Sequence, residues 1–310
     1  MSSTKQASAG RRGKSVRSDC FIELTLRDSG GLNIDLTSKV KSLYGDSIDH
    51  LIRSGLAHFK IDNADLLIED AGALPIVLMA RLEAAVRRLD PDAEVDPWLP
   101  EPFEEMVGSK RQRQRRSRLY LPGNEPKFMI SAAIHQPDGL ILDLEDSVAV
   151  SEKDAARILI RNALIHLDFM GAEKMVRVNQ GERGLKDLEF VIPYGAQLIL
   201  LPKMETGAEV KLFADRIAEI RNTSGIEHEV WLMPIVESAK GSWNAFEIAA
   251  SDPSIVGLAI GLEDYTADIG VQRTNEGKES IWARSQLVNG ARAAGVSPID
   301  TVFSDVGDMD

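Results

Sequence analysis

The chain has 310 residues, a hydrophobic fraction of 44% and a formal net charge of −12. This length favours two domains over one and provides enough chain to bury a core. The acidic excess argues against nucleic-acid binding in general, and no apolar run approaches the ~20 residues that span a bilayer. The single cysteine, Cys20, excludes a disulfide framework and a cysteine-based zinc site, and it indicates a reducing compartment such as the cytoplasm.

The N-terminal part predicts a basic tail followed by a small domain. Residues 1–17 are rich in Ser, Gly, Lys and Arg without periodicity, so we expect them to be disordered. An α+β domain is predicted over residues 18–93. Alternating apolar residues indicate a strand over Cys20–Leu26 and a second over Leu32–Leu36, paired through the turn between them. The other elements predicted here are a helix over Val40–Ile52, short strands at Phe59–Ile61 and Leu66–Ile68, and a helix that begins at Pro75.

Residues 94–116 are predicted to link this domain to the next. Asp96–Pro102 contains three prolines and two acids, which indicates a stiff linker. The basic run Lys110–Arg116 follows. We expect it to be solvated, with an RNA-binding patch as the alternative.

The second domain, residues 117–310, alternates apolar runs with amphipathic helical segments. Near-continuously apolar strands separated by helices predict a parallel sheet covered on both faces. About seven strands favour a (β/α)8 TIM barrel lacking its last unit over an open sheet, and no glycine-rich fingerprint supports a dinucleotide fold. The predicted strands are Leu119–Leu121, Gly139–Leu142, Met175–Val178, Leu198–Leu201, Val230–Val236, Val256–Ile260 and Thr301–Phe303. The predicted helices are Glu152–Leu167, Gly207–Ile220 and Ser242–Ala250.

Polar side chains follow these strands, at the end that forms the active face of such a barrel. Many acids with few histidines indicate a hard cation, and Mg²⁺ fits because it takes one or two carboxylates. We expect Glu237 and Asp264 to hold it, with Glu145 and Asp146 behind them. Arg177 suits capture of a carboxylate or an oxyanion. The full set of candidates is Arg118, Asp143, Glu145, Asp146, Arg177, Asn179, Lys203, Glu205, Glu237, Glu263 and Asp264.

Structural roles are the alternative for these acids, because carboxylates after strands are common helix N-caps. Asp146 or Ser151 would cap the helix at Glu152, and Asp264 would cap a helix after Thr266. Lys203 is a candidate Schiff-base lysine, although neighbouring acids favour a protonated lysine that faces solvent or a substrate carboxylate. The five histidines show no metal spacing, and no role is assigned to them.

Six motifs lie in order between residue 116 and residue 310. They are Ser117–Asn124, Asp143–Val148, Val176–Asn179, Leu201–Lys203, Ile235–Ser238 and Gly261–Tyr265. Together they resemble the citrate lyase beta-subunit family, which includes malyl-CoA and citramalyl-CoA lyases. The resemblance implies Mg²⁺-dependent carbon–carbon cleavage of a 2-hydroxy acid thioester, or the reverse Claisen-type addition. It also implies homo-oligomers, trimers above all, with a citrate lyase alpha subunit as a potential partner.

The resemblance also implies roles for single residues. Glu237 and Asp264 fall on the metal ligands of the family. Arg177 falls on the arginine that holds the keto-acid end. Glu145 and Asp146 fall on the acidic pair beside a metal-bound water.

Further roles follow for the substrate and the chain end. Gly261 and Leu262 would offer backbone N–H groups to the substrate carboxylate, and Arg118 is a candidate for substrate binding. Ser238 stands where the family often has Thr. The family continues past the strand in Asp300–Asp305 with a helix, the last barrel strand and a tail that brings a general acid or base, so we expect the barrel to be incomplete.

The first domain has a resemblance of its own, carried by Asn33–Leu36, Asp70–Pro75, Met79–Ala84 and the pair Ser18–Asp19 before a strand. These resemble the citrate lyase gamma subunit, a small acyl carrier protein. That family attaches a phosphoribosyl-dephospho-CoA arm to a serine just upstream, where this chain has Arg17, with Ser15 two before. Either Ser18 carries the arm, or the domain serves only for assembly. A non-catalytic carrier or assembly subunit is therefore the alternative function.

Overall fold

A computed structural model of the protein describes residues 5–302. The chain forms two compact units. The first unit joins Met1–Met106 to Leu119–Ala172, and the second joins Val107–Arg118 to Glu173–Asp310. No helix among the described residues is long and apolar enough to cross a membrane.

A four-stranded sheet opens the first unit. Its strands are β1 (Gln6–Gly10), β2 (Cys20–Leu26), β3 (Leu32–Ser38) and β4 (Ala64–Asp70), in the order β1-β2-β4-β3. β2 is antiparallel to both β1 and β4, whereas β3 is parallel to β4. The predicted pairing of β2 with β3 is therefore wrong. The more apolar β4 takes the central position between them, and the parallel pair is joined by a helical crossover.

Two further predictions for this domain are wrong. Residues 1–17 were expected to be disordered, yet β1 adds to the edge of β2 through small residues, and Ala9 is buried. Phe59–Ile61 was expected to be a strand. It follows helix α1 (Lys41–His58) as a turn, and Lys60 has a φ of +57°, which a strand cannot accommodate.

Helix α2 (Pro75–Leu89) begins at Pro75, as predicted, and most of its length is buried. Its polar residues Arg81 and Glu83 are buried too, because α2 packs on the sheet and also on helix α4 (Lys153–His166). The rest of the first unit contains β5 (Arg118–Pro122), the short helix α3 (Pro126–Met129) and β6 (Gly139–Asp143).

Five parallel strands form the sheet of the second unit, in the order β11-β10-β9-β8-β7. They are β7 (Glu173–Arg177), β8 (Leu198–Leu201), β9 (Trp231–Val236), β10 (Gly257–Ile260) and β11 (Ser297–Ile299). β8 and β10 are buried along their whole length, as expected of a sheet covered on both faces. The helices are α5 (Gly181–Val191), α6 (Gly207–Ser224), α7 (Ala239–Trp243), α8 (Ala245–Ala250), α9 (Leu262–Asp268) and α10 (Ile281–Ala293).

The last predicted strand is displaced along the sequence. The sequence predicts it at Thr301–Phe303, but Thr301 and Val302 lie outside any strand, and Phe303 lies outside the described residues. β11 instead contains Pro298, and a proline is tolerated in a strand at a sheet edge. The helix predicted over Ser242–Ala250 is also divided, into α7 and α8.

The basic run Lys110–Arg116 is not simply solvated. Arg115 is buried and forms an ion pair with buried Glu173, at 2.6 Å between Nε and Oε2. The Arg111 guanidinium lies over the Trp231 ring and donates to the carbonyls of Pro253 and Ile255. These contacts fix the basic run against the rest of the second unit.

Candidate active site

The carboxyl ends of β7 to β10 lie side by side because the strands are parallel and in register. Arg177 pairs with Leu200 of β8, and Leu201 pairs with Pro234 of β9. Val236 at the end of β9 pairs with Ile260 at the end of β10. The polar residues that follow these strands are thereby gathered along one edge of the second unit.

Glu237 is the buried carboxylate of this edge, with 7% of its surface exposed. Its Oε2 accepts the backbone N–H of Lys203 at 2.9 Å. Lys203 has a φ of +55°, a left-handed conformation that is uncommon outside glycine and often marks a functional site. The turn after β8 therefore fixes the orientation of Glu237.

Asp264 contacts the side chain of the same lysine. Its Oδ2 lies 3.5 Å from Lys203 Nζ, and both side chains are partly exposed. Asp264 lies in the first turn of α9, whose N-cap residue is Gly261, so the capping alternative for Asp264 is wrong. Lys203 thus bridges two carboxylates that are 27 residues apart in the sequence.

Gly261 is required at this edge by close packing rather than by its backbone conformation. A Cβ at position 261 would lie 2.2 Å from Glu237 Oε1, and its φ of −108° is open to any residue. The Gly261 N–H donates to Val236 O at 2.9 Å, so its predicted donation to a substrate carboxylate is wrong. The Leu262 N–H lies 3.4 Å from Thr301 Oγ1, and its substrate role stays a prediction.

We expect Gly261→Ala to lower kcat/KM at least tenfold for any reaction that uses Glu237, because the added methyl group must displace that carboxylate. Gly45→Ala is the matched control, since a Cβ there would meet only the flexible Lys41 side chain at 3.1 Å. Steady-state kinetics on both variants measure the effect. Unchanged activity in Gly261→Ala would contradict a catalytic position for Glu237.

Glu205 serves the local structure of this edge. Ser238 Oγ donates to its Oε1 at 2.7 Å and Lys240 Nζ to its Oε2 at 3.1 Å, and these bonds, with Ser238 first, lower the pKa of Glu205. Ser238 also accepts the Gly241 N–H as the N-cap of α7. The Ala239 N–H donates to Asp268 Oδ2, a contact that no sequence signal indicated.

In the first unit, the loop after β6 is organised by Asp143. This buried carboxylate accepts the backbone N–H groups of Glu145 at 3.0 Å and Ser147 at 3.1 Å, which is a structural role. Lys153 Nζ donates to the carbonyls of Leu144 at 2.8 Å and Glu145 at 2.7 Å. The loop that contains the acidic pair is therefore fixed by Asp143 at the end of β6 and by Lys153 at the start of α4.

The acidic pair itself has two environments. Glu145 is buried, and its Oε2 accepts the Asp146 N–H at 3.1 Å, whereas Asp146 is exposed. The N-cap of α4 is Glu152 and has no side-chain cap, so the capping alternative is wrong for both Asp146 and Ser151.

Three further candidates have partners other than these carboxylates. Arg118 begins β5, so its predicted place at a carboxyl strand end is wrong, and its guanidinium donates to the Arg115 carbonyl. Asn179 is buried and donates its N–H and its side-chain amide to Asp187 Oδ2, a partner that the sequence did not single out. Glu263 forms an exposed ion pair with Arg273.

No group of three or more His, Cys, Asp or Glu side chains within residues 5–302 is arranged to hold a metal ion. Glu237 and Asp264 nevertheless provide two hard oxygen donors beside one lysine. Mg²⁺ is usually bound through one or two carboxylates, with water and substrate completing its octahedron. The donors at this edge therefore fit Mg²⁺ in kind and number.

Carboxylates gathered after buried parallel strands define an α/β protein whose site is built from the loops at the strand ends. The chain belongs to the HpcH/HpaI aldolase/citrate lyase family, whose model matches residues 116–310. Residues 4–89 match the acyl carrier protein model described as malonate decarboxylase delta subunit (MdcD). The resemblance of residues 116–310 is thereby confirmed, and that of the first domain is confirmed for the acyl carrier class, with malonate decarboxylase delta subunit in place of citrate lyase gamma subunit.

The chain is similar to citrate lyase subunit beta of Escherichia coli, with 38% identity over 63% of this chain and 66% of that protein. It is 34% identical to human mitochondrial citramalyl-CoA lyase, over 63% of this chain and 61% of that protein. A solved citrate lyase beta subunit from M. tuberculosis, complexed with oxaloacetate and magnesium, superposes with a TM-score of 0.53 at 30% identity, covering 64% of this chain and 82% of that one. The chain thus spans just under two thirds of the length of the curated relatives it matches.

Proposed function

We propose that this protein is a Mg²⁺-dependent lyase that cleaves a carbon–carbon bond in a 2-hydroxy acid thioester. The products would be an acyl thioester and a 2-keto acid. The observation that carries the proposal is the Glu237–Lys203–Asp264 arrangement at the carboxyl ends of β8 to β10. The names of the relatives, which include citrate lyase and citramalyl-CoA lyase, supply the substrate class.

Glu237 and Asp264 are the proposed holders of Mg²⁺. When bound, the ion would polarise the oxygen that becomes the keto carbonyl and stabilise negative charge on it. The Lys203 backbone holds Glu237 in place through its N–H, and Gly261 leaves the room that this carboxylate needs. These two residues position the metal ligands.

The remaining chemistry is assigned to the polar groups after the strands. Arg177 would neutralise the carboxylate of the keto-acid half, and the Leu262 N–H would donate to the same group. Glu145 and Asp146 are the proposed acidic pair for proton transfer. The hydroxyl proton leaves, the carbon–carbon bond breaks, and its electron pair remains on the thioester as an enolate that a proton then neutralises.

Finer features are proposed on the resemblance alone. They are a (β/α)8 barrel over residues 117–310, a carrier-like domain over residues 18–93 with a linker at 94–116, a homotrimer, an alpha-subunit partner and a CoA-derived arm on Ser18. Ser18 is half-buried with a φ of +56°, and its N–H donates to Ala71 O.

A non-catalytic assembly subunit is the second candidate function. One observation favours it for the first domain. α2 is joined to α4 by the buried ion pair between Glu83 and Arg161, which fixes the domain rather than leaving it on a flexible tether. A carrier domain that swings between sites needs a flexible tether and few fixed contacts with its neighbours.

Keto-acid release from citryl-, malyl- and citramalyl-CoA by the purified protein tests the proposal. We expect one thioester to be cleaved, at a rate that falls at least tenfold when Mg²⁺ is chelated and returns when Mg²⁺ is added. Keto acid is measured by coupled reduction with NADH. Cleavage of none of the three, with Mg²⁺ present, would exclude the lyase and leave the assembly function.

A further inference from the structure

Three ion pairs lie after the strands β8 to β10 of the second unit. They are Glu205–Lys240, Glu263–Arg273 and Asp264–Lys203. The first two involve carboxylates that serve the local structure or lie exposed. The third differs because Asp264 is a proposed metal ligand, so a cation of the protein already occupies its carboxylate.

The pair between Lys203 and Asp264 is loose. Its atoms, Lys203 Nζ and Asp264 Oδ2, are 3.5 Å apart, beyond the range of about 2.7–3.2 Å that is usual for a hydrogen bond from nitrogen to oxygen. The two side chains are 31% and 42% exposed. Ion pairs this exposed stabilise a protein little, and a lysine ammonium sits on a flexible four-carbon stem. The pair can therefore separate at small cost and without movement of the backbone.

The backbone and the side chain of Lys203 have separate partners. The backbone N–H donates to Glu237 Oε2 at 2.9 Å, whereas the ammonium contacts Asp264. The φ of +55° at Lys203 favours glycine, and glycine would donate the same N–H without strain. The N–H therefore does not explain why a lysine occupies this position. Strained backbone at a long side chain indicates that the side chain itself is used.

The charge balance of this edge indicates that use. Glu237 and Asp264 repel each other when both are ionised, unless a cation lies near them. Lys203 supplies one positive charge beside Asp264 Oδ2, and Mg²⁺ would supply two at the same carboxylate. Two cations beside one oxygen repel each other. The ammonium and the ion consequently compete for Asp264.

We propose that the Lys203 ammonium is an internal counter-ion, which neutralises the metal-free site and which Mg²⁺ displaces from Asp264. The proposal rests on the metal ligands assigned in the proposed function. Binding of the ion includes separation of the Lys203–Asp264 pair, so the site holds Mg²⁺ less tightly than its two carboxylates would without the lysine. Lys203 is thus a positioning residue, which acts on the reaction through the metal ligands.

The test compares wild type with Lys203→Met in the full chain. Methionine removes the positive charge but keeps the N–H to Glu237, and as an unbranched residue it carries the same backbone strain as lysine. Mn²⁺ titration followed by electron paramagnetic resonance is expected to show a Kd about fivefold lower in the variant. Lys203→Arg, which keeps the charge, should have a Kd within about twofold of wild type. A lysine that served only the local structure would give weaker Mn²⁺ binding in Lys203→Met.

Thermal unfolding gives a second readout that does not depend on turnover. Without metal, Lys203→Met is expected to melt at a lower temperature than wild type, because the two carboxylates have lost their counter-ion. Added Mg²⁺ should raise the melting temperature more in the variant than in wild type. Lys240→Met is the matched control, since it removes an equal charge from the same edge but pairs with Glu205. It should leave the Mn²⁺ Kd and the Mg²⁺-induced shift at their wild-type values.

An unchanged or higher Mn²⁺ Kd in Lys203→Met would overturn the proposal, as would absence of Mn²⁺ binding by wild type. An equal decrease of the Kd in Lys240→Met would assign the effect to net charge and overturn it as well. Tighter Mn²⁺ binding in Lys203→Met, with no thioester cleaved by wild type, would leave the counter-ion standing and remove the lyase function. Mg²⁺-dependent cleavage by wild type, with an unchanged Kd in Lys203→Met, would do the reverse.

Discussion

Replacing Arg161 with methionine is expected to lower the free energy of unfolding of the first unit by about 3–5 kcal/mol. Arg161 of α4 donates two hydrogen bonds to Glu83 of α2, from Nη1 to Oε1 at 2.8 Å and from Nη2 to Oε2 at 2.7 Å. The two side chains are 1% and 0% exposed. Methionine removes the guanidinium and leaves a buried carboxylate. Arg87, which is partly exposed, keeps its ion pair with Glu83 and the Trp98 N–H keeps its hydrogen bond, each at 2.9 Å, but neither supplies the fully buried bidentate pair that Arg161 provides.

Urea unfolding followed by far-UV circular dichroism measures this loss. The double variant Glu83→Leu/Arg161→Met should recover most of the stability, because apolar replacement of a whole buried pair is often neutral. Lys211→Ala, which breaks an exposed pair with Asp215, is the control and should change the stability far less. An Arg161→Met variant as stable as wild type would show that α2 and α4 are not held together by this pair.

The effect of Arg161→Met should also depend on pH. Burial raises the pKa of Glu83. The hydrogen bond and the charge of Arg161, the charge of Arg87 and the hydrogen bond from the Trp98 N–H lower that pKa by more than burial raises it, so the net pKa lies below its ordinary value. A carboxyl group whose pKa is lowered by folding stabilises the protein above its unfolded pKa. That contribution is lost as the pH falls through the lowered pKa. Wild type and variant should therefore differ most near neutral pH and converge in acid.

Strands β8 to β10 of the second unit were predictable because each is a near-continuous apolar run. Leu198–Leu201 is an apolar run bounded by a proline, and the structure has β8 at those residues. β1 was missed because small residues such as those of Gln6–Gly10 carry little apolar signal, and the edge of β2 determines that they form a strand. Pairing of β3 with β4 rather than with β2 depends on contacts that are distant in sequence, which local turn patterns do not encode.

The candidate site was predictable for a geometric reason. Parallel strands in register bring their carboxyl ends together, so residues that follow apolar runs are neighbours whatever their separation in sequence. The hydrogen-bond and ion-pair partners of these residues were not predictable from the sequence. Nothing local indicates that the Lys203 N–H orients Glu237, 34 residues away, or that Arg161 of an amphipathic helix is buried against Glu83.

Replacing either proposed metal ligand, as Glu237→Gln or Asp264→Asn, is expected to lower kcat/KM for Mg²⁺-dependent cleavage by about a thousandfold. This corresponds to about 4 kcal/mol of transition-state stabilisation, the size expected when a Lewis acid is lost. Glutamine retains an oxygen that can accept the Lys203 N–H, so the local fold should persist. The carboxylate charge, and with it the affinity for the ion, is what the substitution removes. The alanine variants are expected to lose the Mg²⁺-dependent activity altogether.

Metal binding gives a readout that does not depend on turnover. Mn²⁺ titration followed by electron paramagnetic resonance should show weaker binding in both variants, with an unfolding free energy close to that of wild type. Glu263→Gln is the matched control, because Glu263 is the acidic neighbour of Asp264 but forms an exposed pair with Arg273. Full activity in both ligand variants would exclude the metal assignment. Lost activity with unchanged Mn²⁺ affinity would instead assign the two carboxylates to substrate binding or proton transfer, since a charge that does not hold the ion must act on the reacting groups directly.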